Sequence, residues 1–168
     1  LALERAAPDD DILVGDTPLA RARRARLRRL TPAGRLWKHA TLADIEGVVP
    51  REALDGFLIF TLVRNPWDRL VSYWSWLRGQ SFAHPAVALA RRLSFGEFLG
   101  DPMTQGALAA NPYGRYVTDG AGVERQALFL RIEHLATDMA PLTAHLGARP
   151  DLPRANESLR PRDWRPFY

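Results

Sequence analysis

Arg64 and Ser72 stand eight residues apart, at the two ends of the run Arg64-Asn65-Pro66-Trp67-Asp68-Arg69-Leu70-Val71-Ser72. A guanidinium fork and a hydroxyl that converge near a helix N-terminus can hold a phosphate. The same residues admit a structural reading, in which Arg64 pairs with Asp68 or another carboxylate and Ser72 is a small packing residue. A second pair, Lys38-His39, sets a cation beside an imidazole. An imidazole with a pKa near neutrality can take a proton from a hydroxyl, and a neighbouring cation can balance charge on a leaving group. A capping or core role suits His39 as well. His84, His134 and His145 are weaker candidates, because widely spaced His residues without Cys do not make a zinc pattern. Glu133 can orient a base or cap a helix, and the cap is the preferred reading. No Gly-x-Ser-x-Gly elbow occurs, which argues against a serine hydrolase.

These residues need elements to position them. Residues 57–63, Phe-Leu-Ile-Phe-Thr-Leu-Val, are apolar on both faces, the pattern of a central parallel strand. Arg64-Asn65-Pro66 ends it. Pro66 suits the first turn of a helix, where its missing N–H costs little, and Asp68 follows at the positive helix end. Leu70, Val71, Trp74 and Leu77 then recur at helical spacing. Ligands of parallel sheets bind beyond the carboxyl ends of the strands, which is where this pattern puts Arg64. Residues 127–132 read as a second strand. Residues 137–146 read as a helix stopped by Gly147. The stretch 84–110 reads as helical, with Ser94 and Glu97 as a capping box, and 111–122 as a loop. Thr41 with Asp44 marks the start of a helix over 42–48, and Pro50 opens a further helical turn. Residues 35–37 suit a short strand. Strand–helix alternation predicts an α/β layer fold with a mostly parallel sheet. Trp74 is expected in the core. Trp67 and Trp76 are expected to pack against the sheet, with stacking on adenine or a sugar as the alternative.

Composition narrows the classes. The 168 residues suit one domain spanning 1–168. With no Cys, a disulfide scaffold, a thiolate zinc site and an iron–sulfur cluster are excluded. No apolar run reaches the ~18 residues of a membrane-spanning helix. A cytoplasmic setting is the expectation. Twenty-three Lys and Arg against nineteen Asp and Glu give a net charge of +4, and Lys38 is the one lysine. Six arginines fall within residues 21–29. Arg21, Arg24 and Arg28 share one face of a continuous helix. Three readings stand for this run: a solvated helix face, a site for an acidic acceptor or cofactor, and contact with nucleic acid or membrane. No aromatic residue interleaves it, which weakens a single-strand stacking mode.

The stretch Phe-Thr-Leu-Val-Arg-Asn-Pro-Trp-Asp-Arg-Leu-Val-Ser-Tyr-Trp, residues 60–74, resembles the 3′-phosphate motif of sulfotransferases that use 3′-phosphoadenosine 5′-phosphosulfate (PAPS). The nearest likeness is to sulfotransferase family 2, the carbohydrate type. Residues 128–135, Leu-Phe-Leu-Arg-Ile-Glu-His-Leu, resemble that family's later strand with a following Glu. Residues 152–168, with Asn156, Ser158 and Tyr168, resemble its terminal segment. The likeness spans about residues 37–168. It implies a P-loop-like three-layer fold with a mostly parallel central sheet. It also implies transfer of a sulfuryl group from PAPS to an acceptor hydroxyl, on a carbohydrate, with no metal required. Arg64 and Ser72 would hold the 3′-phosphate, His39 would be the base and Lys38 a charge stabiliser. Arg69 would be a structural partner of a carboxylate, and Arg154, Arg160 and Arg162 either approach a phosphate or are solvated. One feature of the family is missing: no Pro-Lys-x-Gly segment, the loop that wraps the 5′-phosphosulfate, occurs in this sequence. Residues 1–7 resemble the helix after that loop, so the expectation is a chain that begins downstream of it and lacks the first strand. Two alternatives accompany this reading: an inactive, nucleotide-binding relative, and an Arg-rich nucleic-acid-binding module built on residues 21–29.

Overall fold

Two short strands, β1 (Phe60–Val63) and β2 (Leu128–Arg131), pair in parallel as a two-stranded sheet. A computed structural model describes residues 3–5, 9, 11–152 and 160–168. The chain divides into two compact units. One comprises Leu1–Leu62, Tyr113–Leu130 and His134–Pro153, the other Val63–Pro112, Arg131–Glu133 and Arg154–Tyr168. The architecture is mixed helix and strand, as the alternation predicts.

In the first unit, α1 (Pro18–Ala22) and α2 (Arg24–Leu27) are separate helices. The continuous arginine-bearing helix expected over 21–29 does not form. At Arg23 the backbone N–H turns to the Arg21 and Leu19 carbonyls, and the Arg23 side chain pairs with Asp9 at 3.1 Å. The helix expected over 42–48 is shorter. Here α3 (Leu42–Ile45) carries the Thr41–Asp44 capping box, but Glu46 is extended and Gly47 has a φ of 86°. Residues 35–37 are not a strand. The Ala33 and Gly34 amides donate to the Glu46 and Asp44 carbonyls, at 2.7 and 3.0 Å, which ties this segment to the end of α3. A 3-10 turn over Arg51–Gly56 follows Pro50, and the Phe57 amide closes it on the Leu54 carbonyl at 3.2 Å. That closure delays β1 to Phe60, three residues later than expected.

Two apolar clusters hold this unit. Leu42, Leu54 and Val117 form one, and Leu130, Met139 and Leu142 the other. The last helix is split into α8 (Leu135–Asp138) and α9 (Ala140–Leu146), because Pro141 requires a helix start there. Gly147 stops α9 at φ 70°, the left-handed conformation expected of a helix-ending glycine. Leu3–Arg5 is a 3-10 turn. The rest of the helix expected over 1–7, and Arg154, Asn156 and Ser158, lie outside the described residues.

In the second unit, α4 (Pro66–Arg78) follows β1. Then come α5 (Pro85–Arg92), α6 (Phe95–Gly100) and α7 (Pro102–Ala109), with the Ser94–Glu97 capping box as expected. Val71, Trp74 and Leu77 of α4 pack with Val87, Ala90, Phe95 and Phe98. Each fully buried large side chain of this kind is worth about 1.5–3 kcal/mol. Trp74 is therefore in the core, as expected. Trp67 and Trp76 are 53% and 45% exposed, contrary to the expected burial. Trp76 is two residues beyond Trp74, on the opposite helix face, and Trp67 is on the first turn, at the end of the packed stripe.

Candidate anion site at the start of the long helix

The strand-to-helix junction is set by local chemistry. Asn65 caps α4: its Oδ1 accepts from the Trp67 and Asp68 amides, at 3.0 and 3.4 Å. Pro66 fills the first helical position. The Asn65 amide donates to Glu133 Oε1 at 2.8 Å. Glu133 thus fastens the residue that caps α4. Its partner is a backbone amide, as in a cap, and it orients no imidazole among the described residues.

Arg64 directly follows β1, and its Nη1 donates to Ser72 Oγ two turns into α4. Because Ser72 Oγ accepts from Arg64, its own O–H remains available to a third group. Arg64 Nε also faces Asp68 Oδ2 at 3.5 Å. The pairing with Asp68 expected from sequence therefore occurs, and a direct Arg64–Ser72 contact not expected from sequence stands beside it. The other oxygen of Asp68 accepts from Arg160 Nη2 at 2.5 Å. Two guanidinium groups thus share the one carboxylate of Asp68. The Arg160 and Asp68 side chains are 10% and 13% exposed, and that of Arg64 is 30% exposed. Arg160 Nε is buried without an acceptor among the described residues.

Tyr168 closes the terminal segment onto the same helix. Its hydroxyl donates to the Trp67 carbonyl at 3.1 Å, and its ring meets Trp67 and Phe95 edge-on. Burial, and secondarily the charge of Asp68, push the Tyr168 phenol above its ordinary value. Arg69 points elsewhere and donates to the Asn111 carbonyl at 3.0 Å.

The donors fit an oxyanion. A guanidinium N–H makes a strong, charge-assisted bond to a phosphate oxygen, and a hydroxyl O–H beside it can add a neutral one; both are partly shielded from water here. The first amides of α4 contribute less than its N-terminus promised, since Asn65 already takes those of Trp67 and Asp68.

Lys38 and His39 belong to the other unit, on an exposed turn closed by the Ala40 amide on the Trp37 carbonyl at 2.9 Å. The His39 ring meets Trp37 edge-on at 4.7 Å, and Arg35 lies 5.1 Å over the same indole. The other imidazoles have separate places. His84 Nδ1 accepts from the Ala86 amide as the cap of α5, and His134 and His145 are exposed. Among the described residues, no group of three or more His, Asp or Glu is placed to hold a metal ion, and no helix is long and apolar enough to cross a membrane.

Sequence reasoning missed the role of Arg160. Its number of residues from Asp68, ninety-two, carries no local signal of pairing. Compared with protein-family models, curated proteins and solved structures, the chain matches none.

Proposed function

We propose that the chain is a sulfotransferase-like domain of P-loop-like, three-layer type, and that Arg64 and Ser72 bind the 3′-phosphate of PAPS or of its product. One observation carries this reading: Arg64 Nη1 donates to Ser72 Oγ directly after β1, with the serine O–H left to donate onward. The resemblance of residues 60–74 to the 3′-phosphate motif names the nucleotide. PAPS supplies an activated sulfuryl group for transfer to an acceptor hydroxyl on a carbohydrate. In this proposal His39 accepts the hydroxyl proton and Lys38 balances charge on the departing phosphate. Arg64 and Ser72 only bind and orient. The Pro-Lys-x-Gly loop has no counterpart in this sequence, so the proposal rests on the 3′ end of the nucleotide.

The Arg64–Asp68 pair favours a second reading, in which Arg64 is a structural strut of the α4 start. Incubation with labelled PAPS and a panel of saccharides separates activity from binding. The transferase reading expects acceptor-dependent label transfer that falls by about 10²–10⁴ in His39→Ala. No transfer to any saccharide, with nucleotide binding retained, leaves an inactive nucleotide-binding relative and overturns the enzyme assignment.

A further inference from the structure

The arginine run splits into two sets with different work. Arg23 and Arg26 turn toward Asp9 and Asp11: Arg23 pairs with the Asp9 carboxylate, and Arg26 donates to the Asp9 carbonyl. Arg24 and Arg28 instead line a cleft of about 560 Å³, and Arg35, Trp37 and Lys38 line it as well. Asp16 is the carboxylate in that lining, and its 3.5 Å pair with Arg24 is exposed on both sides. Such a pair is worth little in water. Arg28, Arg35 and Lys38 form no ion pair among the described residues. Four cations in one concavity, against one carboxylate, create a local potential that an anion relieves.

The geometry of the lining limits the ligand further. Arg24 and Arg28 are one helical turn apart, and Arg35 and Lys38 come from a second segment. Two pairs of cations on two segments suit two separate anionic groups. Arg35 is held over the Trp37 ring, which fixes its guanidinium before any ligand arrives. Leu27 and Leu36 add apolar wall, and the Trp37 side remains 41% exposed. That wall suits the apolar face of a ring. The volume is that of a small-ligand pocket, roughly 300–1,000 Å³. One tryptophan, with a cation already over its ring, is not the run of stacking platforms that a nucleic-acid strand requires.

We infer that this cleft binds a compact, ring-bearing ligand with at least two oxyanion groups, sulfate or phosphate esters. The inference is independent of the Arg64 site, and it stands whether or not Lys38 also serves in transfer.

The test is titration of the whole chain with fructose 1,6-bisphosphate and with a disulfated disaccharide, followed by tryptophan fluorescence, with inorganic sulfate as the single-anion control. Two double variants remove the same charge. R28A/R35A empties the cleft of two cations, while R21A/R29A removes two arginines outside its lining. All four side chains are exposed, so both variants keep the fold. The inference predicts saturable binding of at least one two-anion probe, tighter than sulfate. It predicts about tenfold or greater weakening in R28A/R35A, little change in R21A/R29A, and no change in Arg64→Ala. Preference for one probe then separates a sulfated from a phosphorylated source. Equal weakening in both double variants would reduce the effect to diffuse attraction and overturn the site. So would the absence of saturable binding by either probe, or binding of duplex DNA that neither probe displaces.

Discussion

Asp68 and Arg160, ninety-two residues apart, meet at 2.5 Å with both side chains close to nine-tenths buried. This contact ties the terminal segment to the first turn of α4 within the second unit. Removing one partner of such a pair strands the other without water, at a cost of about 3 kcal/mol. Asp68→Ala is therefore expected to lower the urea midpoint far more than a surface Asp→Ala change such as Asp151→Ala. Asp68→Asn keeps one acceptor oxygen and should lose less. An Asp68→Ala variant as stable as wild type would mean that the pair contributes no net stability.

The closing tyrosine adds a pH dependence. The Tyr168 phenol is pushed up by burial and then by Asp68, and burial also raises that of Tyr73. A raised value means that the folded chain favours the protonated form. The associated stability is complete below the ordinary tyrosine value of 10.0 and is lost as pH rises through the folded value. Thermal melts should fall on the alkaline side of pH 10, and Tyr168→Phe should remove part of that fall. Tyr73, raised by burial, should contribute to what is left of that fall. An unchanged alkaline profile in Tyr168→Phe would count against the Tyr168–Trp67 contact.

Asp119 governs the opposite limb. It is 2% exposed, accepts from the Val123 and Ala121 amides at 3.0 and 2.9 Å, and pairs with Arg125 at 2.6 Å. The Val123 amide is the main cause that holds its carboxyl below the ordinary 3.8, with Arg125 and the Ala121 amide adding to it. A lowered value contributes stability that is present above 3.8 and lost as pH falls through the folded value. Asp119→Asn should melt lower at neutral pH and show a flatter acid limb below pH 4. Equal acid limbs in wild type and variant would show that other carboxylates dominate.

Much of the local structure is legible in the sequence because it is encoded by neighbours. Asn65-Pro66, Thr41 with Asp44, Ser94 with Glu97, and Gly147 each mark a helix end through contacts a few residues long. The pairing of Arg64 with Asp68, and the convergence of Arg64 and Ser72, are legible for the same reason, since all three lie within two turns of the strand-to-helix junction. Competing turns are what sequence pattern does not show. The 3-10 closure on Leu54 shortens β1, and the ties from residues 33 and 34 to α3 replace the strand expected at 35–37. Long-range partners are equally silent, as with Arg160 on Asp68 and Glu133 on the Asn65 amide. Trp67 and Trp76 mislead for another reason: apolar character alone does not say which helix face meets the core.

The central claim is that Arg64 and Ser72 form a 3′-phosphate site. Its most direct test is the thermal melt of the chain with adenosine 3′,5′-bisphosphate, and with adenosine 5′-monophosphate as control. A ligand at 100 times its Kd stabilises by about 2.7 kcal/mol. The claim predicts a rise with the bisphosphate that the monophosphate does not give, abolished in Arg64→Ala and reduced in Ser72→Ala. A cooperative melt that shifts equally with both nucleotides, or with neither, would contradict it and leave Arg64 as a strut at the start of α4.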